Sequence, residues 1–254
     1  MTDLLIGVAQ YPNSLDWKKN FDHAIFTIDK FSRENVDLIC FQEAFLSGYH
    51  PEVLTYDFSE IDYYLDQIRD QAYLNNVCIM IPTLTNDGKR RNSAVYVFNS
   101  DRGDLVVYKK GLTPSEKLVL HPKNGKRSAI VKGVEVGVLI CREVEDPAYT
   151  YFKQNSLPDI IFWPSYWGWH YRSKWGPIKY IDGEKDLCFE LITKIKRPIF
   201  QANMCTTFSK DLKSFDKYGK SVFVNGDCRK VGVGAYGKTD HILIRYDGQK
   251  LNKL

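Results

Sequence analysis

Val136-Gly137-Val138-Leu139-Ile140-Cys141-Arg142-Glu143-Val144-Glu145-Asp146-Pro147 is the stretch on which the fold turns. Six apolar residues of strand length stop abruptly at a charged run, and a proline follows at a position suited to the first turn of a helix. The reading is a buried strand that turns toward a helix, with Cys141 at the corner. At such a corner a side chain projects from the sheet, and the next backbone N–H groups point to where a developing oxyanion would sit.

The same strand and helix rhythm extends in both directions. Leu4 to Gln10 is apolar and strand-length, Phe21, Ala24, Ile25 and Ile28 recur at helical spacing, and Val36 to Phe41 is again a strand. Ile61, Tyr64, Leu65, Ile68 and Ala72 share one helical face, and Val77 to Leu84 follows as a strand. Asn92 to Phe98 and Leu105 to Tyr108 flank the turn from Asn99 to Gly103, a hairpin that we read as opening a second layer of sheet. Beyond the polar loop Gly111 to Arg127 come the quoted strand, a helix near Asp146-Pro147 and a strand from Asp159 to Phe162. A helical face of Cys188, Leu191, Ile192 and Ile195 precedes strands at Pro198 to Cys205, Ser221 to Val224 and His241 to Tyr246. With no low-complexity linker, the expectation is one layered α/β domain over residues 1–254, sheet inside and helices outside.

Composition narrows the function classes. The 254 residues are 44% hydrophobic and 26% charged, as in an ordinary globular protein. The formal charge of +4 arises from 35 basic and 31 acidic residues spread along the chain, so no basic face for nucleic acid is indicated. The apolar runs are far shorter than a membrane span, and Met1-Thr2-Asp3 lacks the charge pattern of a signal peptide; a cytoplasmic location is expected. The six cysteines and five histidines are dispersed, without C-x-x-C or H-E-x-x-H spacing, so no metal or other cofactor is expected. Gly232-Val-Gly-Ala-Tyr-Gly237-Lys238-Thr239 fits a phosphate-loop pattern, but the β-type run His241 to Tyr246 follows it. Such a loop needs a helix there, so we read a hairpin near a sheet edge.

Two other strand ends carry groups that could serve Cys141. Glu43 lies in Phe41-Gln42-Glu43-Ala44-Phe45-Leu46-Ser47-Gly48-Tyr49, where apolar neighbours would raise its pKa toward that of a useful base. Tyr108-Lys109-Lys110 ends a third strand, and Lys110 is the lysine we assign to the site. Trp163, Tyr166, Trp167 and Trp169 follow the next strand and could form an aromatic wall, while Arg142 could face a substrate carboxylate or solvent. A Cys-His peptidase would need His121 or His170, and nothing near Cys141 supports it.

Taken together and in order, these residues resemble the carbon–nitrogen hydrolase (nitrilase) superfamily. Phe41-Gln42-Glu43 with Gly48-Tyr49 is similar to F-P-E-x-x-x-x-G-Y, with Gln42 in place of proline. Tyr108-Lys109-Lys110-Gly111-Leu112 approximates Y-R-K-x-x-L, with the leucine one residue early. Gly137-Val-Leu-Ile-Cys141-Arg-Glu143 is similar to G-V-x-I-C-x-D/E, and the resemblance continues through Asp159 to Ser165, Gln201-Ala-Asn203 and Gly219-Lys220-Ser221. It implies a four-layer α-β-β-α sandwich, a Glu43, Lys110, Cys141 triad with Glu116 as a second glutamate, and pairing into a homodimer. It also implies hydrolysis of a small amide-like or N-carbamoyl substrate through a cysteine thioester, with Tyr49, Arg142, Trp163, Tyr166 and Trp167 as substrate-binding candidates. Acyl transfer to an amine, or an inactive binding protein on the same fold, are the alternatives.

Overall fold

In the computed structural model, which describes residues 3–86, 90–153, 156–167, 195–208, 215–227 and 230–254, the alternation begins as expected. Strand β1 (Leu4–Gln10) leads into helix α1 (Trp17–Arg33), and β2 (Leu38–Cys40) returns parallel to β1. The Asp16 carboxylate starts α1 by accepting the Lys19 N–H at 2.9 Å, and the helix buries Ala24, Thr27, Ile28 and Phe31. Helix α2 (Ser59–Leu74) buries Ile61, Tyr64, Leu65, Ile68 and Ala72, the face read from their spacing.

Strand β3 (Cys78–Asn86) lies parallel to β2, and β4 (Arg91–Phe98) and β5 (Leu105–Tyr108) follow antiparallel. This hairpin extends the first sheet and does not open a second layer. The reason is register: β3 pairs with β4 without a break from Ile79 opposite Phe98 to Asn86 opposite Arg91.

The second sheet takes β6 (Ser128–Val131), β7 (Val134–Val138), β8 (Ile160–Ser165) and β9 (Ile199–Asn203). After the two-stranded pair β10 (Thr206–Phe208) and β11 (Phe215–Tyr218), β12 (Val222–Val224) and β13 (Lys230–Val233) complete it. Then β14 (Asp240–Tyr246) and β15 (Leu251–Lys253) cross back to the first sheet. The orders are β15-β14-β1-β2-β3-β4-β5 and β13-β12-β9-β8-β7-β6. The expected hairpin at the glycine-rich stretch is therefore a crossover, since β13 pairs with β12 and β14 with β1. The Gln10 amide pins it by donating to Ala235 O at 2.5 Å and Lys238 O at 2.7 Å.

Strand alternation builds the layers. Leu4, Ile6 and Val8 of β1 meet Val136, Val138, Phe162, Phe200 and Phe223 between the sheets. Ala9, Ile39, Ile79 and Ile81 face the other way, onto α1 and α2. Leu139, Ile161, Trp163 and Ile199 cover the outer side of the second sheet with Val144, Tyr151, Phe152 and Ile195. This is an α-β-β-α sandwich. The helix expected near Asp146-Pro147 is replaced by two 3₁₀ turns, Cys141–Glu145 and Ala148–Thr150. The backbone is extended at both Asp146 and Pro147, with ψ of 157° and 135°, which interrupts helical continuation. Cys188, Leu191 and Ile192 of the other expected helix lie outside the described residues, as do Trp169 and His170. No helix among the described residues is long and apolar enough to cross a membrane.

Candidate active site

Three strand ends converge. Glu43 follows β2, Lys109 follows β5, and Cys141 stands two residues beyond Leu139 where the β7 segment turns. Glu43 and Lys109 come from the first sheet and Cys141 from the second, so the site is built across the sandwich. Cys141 has φ of +53°, a left-handed conformation that side chains with a Cβ rarely adopt. Its carbonyl accepts the Trp163 indole N–H at 2.8 Å, which helps hold the corner.

The lysine of the site is Lys109, which corrects the assignment to Lys110. Lys109 is fully buried, and its ammonium donates to Glu43 Oε1 at 2.7 Å and Glu116 Oε1 at 2.6 Å. Lys110 is exposed, and its Nζ donates to Thr150 O at 3.3 Å. The two-residue period of a strand explains the difference, since Val107 and Lys109 are buried while Tyr108 and Lys110 are turned outward. A signal for this was present in the sequence: Leu112 is three residues after Lys109, as K-x-x-L requires.

Glu116 joins the cluster as expected. Tyr49 Oη also donates to its Oε1 at 2.6 Å, and the Thr113 N–H donates to Oε2 at 2.7 Å. Tyr49 in turn stacks on Tyr166, with ring centroids 4.6 Å apart. Two carboxylates thus share one ammonium in a buried setting, a surplus of one negative charge. Glu43 Oε2 has no hydrogen-bond partner among the described residues.

Burial first, and then these charges, set the titration behaviour. Burial pushes the Glu43 pKa up against the opposing pull of Lys109, with Glu116 adding to the rise. Burial acts the same way on Glu116, but Lys109 and the hydrogen bonds from Lys109, Tyr49 and Thr113 outweigh it and leave Glu116 below the usual carboxylate value. Burial would lower Lys109, yet Glu43, Cys141 and Glu116 raise it, so it stays charged. The Cys141 thiol is raised by burial first and then by Glu43, with Lys109 and the Tyr166 backbone N–H acting against the rise. The resting sulfur therefore carries its proton, beside a carboxylate able to take it.

Glu143 and Gln42, which were not among the expected site residues, brace this arrangement. The fully buried Glu143 accepts Lys110 N at 2.7 Å, Gly111 N at 3.0 Å and Ile140 N at 2.7 Å, and pairs with Arg127. One carboxylate thereby ties the lysine loop to the cysteine corner. Gln42 stands where the resembled motif has proline; its amide accepts Tyr11 N at 3.0 Å and donates to Tyr11 O at 2.9 Å, bonds that a proline side chain cannot make.

The remaining candidates separate. Tyr49 and Tyr166 are at the site. Trp163 is wholly buried in the outer core, so it supports Cys141 from behind and does not line a substrate wall, contrary to expectation. Arg142 is partly exposed and pairs with Asp146 at 3.1 Å. Trp167 packs edge-on against Trp163, with centroids 5.8 Å apart. His121 is exposed, with its backbone bonded to Arg91 and Asn92.

Comparison with known proteins identifies the family and the fold. The carbon–nitrogen hydrolase family model matches residues 5–177, and the chain belongs to that family of enzymes. A carbon–nitrogen hydrolase from Helicobacter pylori G27 superposes with a TM-score of 0.79 at 15% identity, covering 97% of this chain and 90% of that one. An amidase mutant from Nesterenkonia sp. AN1 in complex with acrylamide gives 0.76 at 16%, covering 97% and 91%. Glutamine-dependent NAD+ synthetase from Acinetobacter baumannii gives 0.77 at 16%, covering 99% of this chain but 47% of that one. The corresponding synthetase of Thermotoga maritima is 29% identical over 158 residues, 58% of this chain and 27% of its own length. The chain thus spans about a quarter of the T. maritima synthetase and about half of the A. baumannii one.

Proposed function

We propose that the chain hydrolyses a small non-peptide amide or N-carbamoyl compound through a thioester on Cys141. The observation that carries this reading is the buried Lys109 ammonium joining Glu43 and Glu116 beside a cysteine in a left-handed corner. Glu43 takes the thiol proton as the sulfur attacks the amide carbon. Lys109 and the Arg142 backbone N–H hold the oxyanion, a kind of interaction worth about 3 to 4 kcal/mol elsewhere. Collapse breaks the carbon–nitrogen bond, and the amine leaves with the proton from Glu43. Water then gives a proton to Glu43 and attacks the thioester, and the departing sulfur recovers that proton. Glu116 fixes Lys109 and, through Tyr49, the neighbouring aromatic pair.

Amidases among the structural neighbours support amide chemistry, and one Nesterenkonia mutant was solved with the acetamide moiety of fluoroacetamide added covalently at its active-site cysteine. The test is ammonia release from ω-amides including glutamine, N-carbamoyl amines and nitriles, with Cys141→Ala as control. Turnover of an amide or N-carbamoyl compound that the control lacks is expected. Turnover by the control, or of nitriles alone, would count against the reading. An added amine that diverts the acyl group would favour acyl transfer. A cytoplasmic location and a homodimer belong to the same proposal, the dimer being checked by sedimentation equilibrium.

A further inference from the structure

Asn13 is buried shortly past the end of β1, on a segment that supplies no reacting group. That segment is anchored, since the Asn13 N–H donates to Thr206 O at 2.8 Å and Tyr11 O accepts the Cys205 N–H at 2.9 Å. The Asn13 side chain reaches across to Tyr49. Its Oδ1 accepts the Tyr49 N–H at 2.9 Å, and its Nδ2 donates to Tyr49 O at 3.4 Å and to Tyr166 Oη at 3.5 Å. The first bond has an ordinary length and the other two are long, so the carboxamide holds the Tyr49 backbone firmly and Tyr166 loosely. The two segments also fit closely: Gly48 has φ of +74°, and a Cβ there would lie 2.3 Å from Ser14 O.

Tyr49 is where this clasp meets the charged cluster. Its hydroxyl donates to Glu116 Oε1, and the same oxygen accepts the Lys109 ammonium, which also bonds Glu43 Oε1. A phenol that drifted away would leave that buried oxygen short of one donor, and Glu116 would take a larger share of Lys109 at the expense of Glu43. We propose that Asn13 is a positioning residue of the candidate active site: by clasping the Tyr49 backbone it seats the phenol on Glu116 and so fixes the ammonium between its two carboxylates. From Asn13 to Glu43 the links are hydrogen bonds of 2.9, 2.6, 2.6 and 2.7 Å, joined through the Tyr49 side chain.

The inference rests on the proposed function, and the experiment keeps the two apart. Ammonia release is measured on the amide or N-carbamoyl compound that the unaltered chain hydrolyses fastest, in Tyr49→Phe, Asn13→Ala and the double variant, with circular dichroism and Tm recorded for each. If the unaltered chain hydrolyses no such compound, the proposed function fails and this inference with it. If it does, Tyr49→Phe, which keeps the ring and loses the donor, should lower kcat about tenfold, as expected for losing a hydrogen bond to a charged group. Asn13→Ala should lower kcat by a similar factor. In the Tyr49→Phe background the same change should cost less than about twofold, because its effect runs through the lost hydroxyl. Asn20 gives the contrast: it is buried and donates to Ser14 O at 2.9 Å and Leu46 O at 3.0 Å, tying neighbouring parts of the same two segments. Asn20→Ala should lower Tm and combine additively with Tyr49→Phe. A folded Asn13→Ala that loses no activity, or whose loss multiplies with that of Tyr49→Phe, overturns the inference and leaves the proposed function standing, as does equal coupling from Asn20→Ala. Should Asn13→Ala not fold, Asn13→Ser, whose hydroxyl is too short to reach the Tyr49 N–H, is put through the same cycle, and an additive result overturns the inference equally.

Discussion

At the scale of single residues the decisive pair is Lys109 and Lys110. Removing the Lys109 ammonium leaves two carboxylates buried together, so Lys109→Ala should lose at least about a hundredfold in kcat/KM and several kcal/mol of stability. Lys110→Ala removes only an exposed contact to Thr150 and should change kcat/KM by less than about twofold. Parallel assays of ammonia release and chemical denaturation check both. A second expectation follows from Glu43. Its folded pKa is raised, so its base form is lost at a higher pH on acidification than that of an ordinary carboxylate. The acid limb of kcat/KM should therefore lie above the ordinary glutamate range near 4.3, and in Glu43→Gln both the limb and the activity should go; a limb at or below that range would assign the base elsewhere. Glu43 and Cys141 were legible because each ends an apolar run and carries a motif. The lysine was blurred by being one of a doublet, and only burial along β5 or the spacing to Leu112 separates the two.

At the scale of elements, the turn after Cys141 and the loop after β5 are held by the same carboxylate. Glu143→Gln would set an amide N–H₂ against donors that now face an oxygen and would unpair Arg127, at a cost of about 3 kcal/mol or more. Urea denaturation should show that loss, and kcat should fall as the lysine loop and the cysteine corner separate. This bridge was hidden because it joins positions 110 and 143, and spacing along one chain does not disclose a contact between strands of different sheets. The short strands were hidden for a different reason. Ser128–Val131 follows directly on a polar stretch, and the expected helix at Pro147 is broken by backbone angles that the residue types do not dictate. Helix α2 carried enough repeats to be read with its buried face, whereas in α1 Ala24 and Ile28 are buried, Phe21 and Ile25 only partly so, and Thr27 and Phe31 complete the face.

At the scale of the molecule, the alternation of strands and helices pointed to a layered α/β protein, but not to which sheet received β4 and β5. Partner choice among strands depends on register over the whole sandwich, which no local pattern states. The interior between the sheets is a stack that includes Phe162 on Phe200, with centroids 5.4 Å apart. Phe162→Ala should cost about 3 to 5 kcal/mol through the cavity it leaves, read as a lowered denaturation midpoint, and should reduce turnover although Phe162 touches none of the reacting groups. Glu43 and Lys109 are mounted on one sheet and Cys141 on the other, so the proposed chemistry depends on the two halves remaining docked. Loosening that joint by an ångström would silence the enzyme while each half kept its strands. On gradual denaturation, turnover should vanish before circular dichroism records any loss of β structure.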